Sequence, residues 1–170
     1  MNLLHTILLY GFAVVIGSDK YTEFQKGNKV VKNEMHVEWE YTNKEIEFTM
    51  AAPTSGWVTI GFNSKQGMAG CYLLMGRVVN GKVEVVEHYT QSPGKYAPIS
   101  TYDVRPQVKV ISGIEEDGET TIQFKLPQKA ISKYQKDLTK NSEYYMVLAY
   151  SNHDDFQHHS AMRTSVKIKL

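Results

Sequence analysis

With Cys71 as its single cysteine in 170 residues, the chain can form no intrachain disulfide, so core packing has to hold the fold and Cys71 itself reads as a small buried apolar residue. An excess of either charge is missing too. The 19 basic and 18 acidic side chains leave a net charge of +1, which supplies no electrostatic footprint for nucleic acid, and nucleic-acid binding is excluded as a function class. No Asn-x-Ser/Thr sequon occurs, so no N-linked glycan is expected. A phosphate loop, a Ser-His-Asp ordering and a pair of converging carboxylates are likewise absent. Asp154 and Asp155 are neighbours on a loop and need not converge, so nothing here reads as the site of a stand-alone catalyst.

Long apolar runs are lacking with one exception, residues 3–17, LLHTILLYGFAVVIG. The run is shorter than the ~20 residues of a bilayer span and is followed by small residues at Gly17 and Ser18, which together read as a signal peptide cleaved near residues 17–19. The competing reading is an uncleaved anchoring helix. Cleavage implies a secreted or lumenal protein with no membrane span in the mature chain. The remaining length suits one domain: residues 1–18 as leader, 19–33 as a polar, lysine-rich lead-in, and 34–170 as the folded unit.

Within that unit the period is two. Val37, Trp39 and Tyr41 alternate with His36, Glu38 and Glu40. After the turn at Asn43-Lys44, Ile46, Phe48 and Met50 alternate with Glu45, Glu47 and Thr49. Asn80-Gly81 between two strand-like runs is the strongest short hairpin signal a sequence offers, and Asp117-Gly118 marks another. Residues 91–106, carrying Pro93, Pro98 and Pro106, read as an irregular connection that crosses between sheets or borders a site. Residues 128–139 have the only helix-like spacing in the mature chain. Residues 143–151 are apolar on both faces, as expected of a central strand. The whole predicts an all-β, immunoglobulin-like antiparallel sandwich of roughly eight to eleven strands with at most one short helix.

Two stretches carry candidate chemistry. In residues 56–76, GWVTIGFNSKQGMAGCYLLMG, a strand runs into a glycine-rich loop that presents Met68. A thioether there either fills a gap in a core or reaches a metal centre. Residues 152–160, NHDDFQHHS, gather three of the six histidines. They read as a solvated loop, as a zinc or copper site, or as a partner to Met68. One soft sulfur and one imidazole form a haem-iron set with both axial positions filled, suited to passing single electrons. Trp57, Phe62, Tyr72, Leu74 and Tyr150 would wall such a pocket, and Lys65, Arg77 and Arg163 would meet the propionates. With no Cys-x-x-Cys-His the group would be non-covalent haem b. The eleven tyrosines and two tryptophans admit a second function, a haem-free module that recognises carbohydrate or protein.

The opening VEWEYTNKEIEFTMAAPTSGWVTIGF, the GMAG loop, the Asn80-Gly81 hairpin and the late HHSAMR together resemble the DOMON domain, the sandwich of dopamine β-monooxygenase and of the cytochrome domain of cellobiose dehydrogenase. The resemblance runs over residues 35–170. It implies a β-sandwich and, by analogy with haem-binding members, iron held by Met68 and by His159 or His158. His159 is favoured because an arginine, Arg163, follows four residues later. The chain departs from the family pattern at Tyr72, where an Asp is usual, and at Thr164, where a Gly is usual. The redox partner would be a separate protein.

Overall fold

The computed structural model of the chain describes residues 28–170, so the leader expected at residues 1–18 lies outside the described residues. In chain order the elements are β1 (Lys29–Lys32), β2 (Met35–Thr42), β3 (Glu45–Ala52), β4 (Val58–Asn63), β5 (Tyr72–Val79), β6 (Lys82–Ser92), β7 (Lys95–Pro98), a 3₁₀ turn (Ile99–Tyr102), β8 (Lys109–Glu116), β9 (Glu119–Pro127), β10 (Glu143–Tyr150) and β11 (Met162–Lys169). They form two antiparallel sheets, β1-β2-β3-β9-β8 and β11-β10-β4-β5-β6-β7. The tight hairpins follow from turn chemistry. Asn80 and Gly81 both take positive φ, 52° and 71°, which is the type I′ turn that matches strand twist.

Alternation in the sequence decides what each face meets. In β2 and β3 the apolar residues point inward and place Trp39 opposite Phe48. The Phe48 ring lies at the centre of the sandwich, 5.5 Å from Phe62 of the opposing sheet and 5.7 Å from Phe124 of its own. The outer face of this sheet is charged. Glu45, for instance, pairs with Lys109 at 3.0 Å and Lys125 at 2.8 Å.

The six-stranded sheet is apolar on both faces, and this positions the site. β10 sends Met146 and Leu148 into the sandwich, and Val147 and Ala149 outward, where they are 4% and 3% exposed. Its second apolar face is therefore covered by loops, not by another sheet.

Three elements differ from the sequence reading. β1 lies in the stretch read as lead-in, where it pairs with β2, and β7 lies inside the stretch read as an irregular connection. Residues 128–139 form turns, not a helix. There the Leu138 N–H donates to the Gln128 carbonyl at 2.7 Å, ten residues back where a helix would reach four, and the Asp137 carboxylate folds back to accept the Ala130 N–H at 2.9 Å. The one helical piece among the described residues is the 3₁₀ turn that follows Pro98.

Candidate functional site

The outer face of the six-stranded sheet carries a compact apolar layer of Trp57, Cys71, Leu73, Met75, Val147 and Ala149, each buried. Met68, Tyr96 and Phe156 pack on it half-buried. The two stretches singled out in the sequence are thus brought to one surface, since Met68 comes from the β4–β5 loop and Phe156 from the β10–β11 loop that also holds the histidines.

The Met68 loop owes its shape to left-handed backbone at Gly67 (φ 109°) and Gly70 (φ 82°), which residues with a Cβ rarely adopt. The Cys71 N–H closes the turn onto the Met68 carbonyl at 3.0 Å. Burial pushes the Cys71 thiol up to about 12, so it stays protonated and packs as an apolar group.

The histidine loop is clamped at several points. The Trp57 N–H donates to the His153 carbonyl at 3.1 Å, and the Ser151 hydroxyl donates to the His159 carbonyl at 3.0 Å. Gly56 makes this approach feasible, because a Cβ there would stand 2.4 Å from the His153 nitrogen and from the Ser151 oxygen. Tyr96 donates its hydroxyl to the Phe156 carbonyl. Arg77 lays its guanidinium 4.4 Å from the Phe156 ring centre and donates to the Asp154 carbonyl at 2.8 Å. The His153 and His158 rings lie 3.7 Å apart. The side chains of His158 and His159 are exposed.

Beside Met68 lies a depression of about 250 Å³ bounded by Gln66, Gly67, Tyr145, Val147 and by Arg163, Thr164 and Ser165 of β11. Met68 and Arg163 therefore share a site, and neither His158 nor His159 is among its walls. Of the five residues expected to wall the pocket, Trp57 belongs to the outer layer. Phe62, Tyr72 and Leu74 are buried between the sheets, and Tyr150 packs against that inner core. The reason is strand parity: Leu73 and Met75, their odd-numbered neighbours, occupy the outer face. Tyr72 donates instead to buried Glu87 at 2.7 Å, and burial together with that carboxylate raises its phenol well above the usual range. Arg77 is committed to Glu84 (2.7 Å), Asp154 and Phe156, so its charge already has a partner. Sequence reading passed over Leu73, Met75, Val147 and Ala149, although the two-sided apolarity of β5 and β10 signalled them.

His88 lies under the histidine loop, 1% exposed, with its ring edge-on to Tyr96 and Phe156, each 5.7 Å away. Burial lowers its pKa below 6.5, against a smaller opposing pull from the Val86 carbonyl. Just under pH 6.5 the unfolded chain thus holds more protons than the folded one, and stability falls as pH drops, by at most about 1.4 kcal/mol per unit. The loss levels off below the folded value. Urea midpoints measured from pH 7.5 to 5 should fall more steeply for the wild type than for His88→Phe, and parallel curves would refute this.

No group of three or more His, Cys, Asp or Glu placed to hold a metal ion occurs among the described residues, and no helix there is long and apolar enough to cross a membrane. In structure the chain is similar to the cytochrome b domain of pyranose dehydrogenase from Coprinopsis cinerea, with a TM-score of 0.64 and 10% identity over 83% of this chain and 80% of that one. It is also similar to the cytochrome domain of Myriococcum thermophilum cellobiose dehydrogenase, with a TM-score of 0.59 and 9% identity over 80% of this chain and 74% of that one. At such identity these likenesses concern the fold. In sequence, the model of the DOMON domain matches residues 31–151, ending where the histidine loop begins. The chain belongs to the DOMON domain family.

Proposed function

We propose that this DOMON domain binds haem b non-covalently on the outer face of its six-stranded sheet, where Met68 and His159 would hold it, and acts in one-electron transfer. The observation that carries the reading is the convergence of the Met68 loop and the histidine loop on one apolar sheet face. Both named structural neighbours are cytochrome domains, which agrees with it.

The donor set fits the group. Met68 offers a neutral, soft sulfur from a half-buried position, and His159 offers an imidazole from a backbone anchored by Ser151. Buried polar atoms without partners concentrate in the same layer: Trp57 Nε1, Thr90 Oγ1 and Asp154 Oδ1 are three of the five such atoms among the described residues. The free volume of about 250 Å³ falls just below the ~300–1,000 Å³ of ordinary ligand sites. Entry therefore requires the covering loops to shift.

Met68 and His159 would hold the haem, which when bound would supply one-electron exchange. Around it, Leu73, Met75, Val147 and Ala149 exclude water, which favours the less charged reduced state. Arg163 at the rim, and Lys65 on the Met68 loop, are the cations suited to the propionates. The electron donor or acceptor is a separate protein, and the chain works in a secreted or lumenal compartment, consistent with the leader-like residues 3–17.

The test is a haemin titration of purified protein. A saturable one-to-one complex should show a Soret band and, on reduction, sharp low-spin α and β bands. Without saturable binding, the haem-free recognition module becomes the better account, to be taken up with glycan arrays.

A further inference from the structure

We propose that Asn63 is the positioning residue for Met68, an amide clamp that holds the thioether over the apolar sheet face before any ligand arrives. The inference deepens the haem reading and rests on it for the role of Met68, but the clamp itself is testable without haem. Asn63 is the last residue of β4, 2% exposed, its backbone paired with Tyr145 of β10. Its Nδ2 donates one hydrogen to the Gly67 carbonyl at 2.8 Å and the other to the Ala69 carbonyl at 3.1 Å. Those carbonyls belong to the residues immediately before and after Met68. A primary amide is suited to this task because its two N–H groups diverge from one nitrogen and bridge acceptors two residues apart.

The remaining anchors lie on the C-terminal side of the methionine. The Gly70 N–H donates to the Thr90 carbonyl at 2.8 Å, and the Cys71 N–H to the Met68 carbonyl at 3.0 Å. Gly67, with its φ of 109° and nothing within 4 Å of where a Cβ would stand, has no steric neighbour to hold it. On the N-terminal side, then, the loop is held through Asn63. Asparagine at a strand end reads in sequence as a turn former; here its side chain folds over the loop it opens. Aspartate has the same shape but as a carboxylate donates nothing, so Asn63→Asp removes both donors at constant volume while adding a buried charge, and Asn63→Ser removes the clamp without that charge.

Site-resolved peroxide oxidation of the haem-free protein, read by peptide mass spectrometry, tests the clamp. Met75 and Met146 are 2% and 0% exposed and report global opening within the same sample. In Asn63→Asp and Asn63→Ser, Met68 should oxidise up to about thirtyfold faster than in the wild type, the factor expected for losing the net contribution of two hydrogen bonds, while Met75 and Met146 keep their wild-type rates. Equal acceleration at all three methionines, or none at Met68, overturns the proposal. The wild type provides a check that depends on no variant: both Asn63 side-chain N–H protons should be protected from solvent exchange, and rapid exchange of either refutes the clamp. In haem-loaded protein, Asn63→Ser, which adds no charge, should lower the midpoint potential in the direction of Met68→Ala. If the wild type takes up no haem, the proposed function fails while the oxidation pattern still decides on Asn63. If haem binds through Met68 and Asn63→Ser leaves both oxidation and potential unchanged, the clamp alone fails.

Discussion

In the proposed haem complex, Met68→Ala is expected to deprive the iron of its sulfur ligand, with weakened α and β bands on reduction and a lower midpoint potential. A thioether favours ferrous iron, so its removal shifts the potential downward, by on the order of 100 mV out of the ~0.8 V that axial ligands command. The fold should be indifferent to the change. Met68 is half-buried on the outer layer and contributes nothing to the core between the sheets, where Phe48, Phe62 and Phe124 meet. Spectroelectrochemistry alongside thermal melts separates the two effects. A variant with the wild-type spectrum and potential would remove Met68 from the iron.

Glu87→Ala is expected to be the most damaging single substitution away from the aromatic core. Glu87 is fully buried on β6 and accepts four hydrogen bonds: from the Tyr72 hydroxyl at 2.7 Å, from Gln135 Nε2 at 2.8 Å, from the Val108 N–H at 2.6 Å and from the Gln107 N–H. Those donors belong to the sheet and to both long connections, the one before β8 and the one before β10. Truncation leaves two backbone and two side-chain donors without an acceptor. Stability should fall by about 3–5 kcal/mol, which lowers the melting temperature by roughly 10 °C or more for a domain of this size. The loss should accompany faster hydrogen exchange in residues 99–108 and 128–139. A change below about 1 kcal/mol would mean that water replaces the carboxylate at no great cost.

Much of the fold was legible because it is written locally. Asn80-Gly81 specifies its hairpin through the backbone conformations these residues tolerate, and the alternation of Val37, Trp39 and Tyr41 specifies an inner face by period alone. The short edge strands were not legible. β1 and β7 have four residues each, too few for a period to show. Residues 128–139 carried a helical spacing, yet the segment closes as a loop through the Leu138–Gln128 backbone bond and the Asp137 carboxylate, long-reach contacts that spacing does not register.

The candidate site was legible in part. Met68 and the histidine loop stood out by residue type and by family resemblance, and both loops do border one sheet face. The expected walls did not follow, because Phe62, Tyr72 and Leu74 are one residue out of phase with the outer face. A strand apolar on both sides gives no indication of which parity faces which layer. Arg77 illustrates the same gap. As a cation near the loop it suited a propionate, yet Glu84, Asp154 and Phe156 already engage it.

By itself the sequence determined the all-β class, the antiparallel pairing of neighbouring strands, the family and the two loops that carry sulfur and imidazole. Each of these depends on residue type and on spacing along the chain. Which side of the six-stranded sheet those loops cover, which aromatics lie beneath them, and that Asn63 and Glu87 hold their connections in place were decided by tertiary structure alone. The pairs Glu87–Gln135 and Trp57–His153 arise when segments far apart in the chain are brought together, and the bonds of Asn63 to its own loop follow the path of that loop, so none of them has a period to betray it.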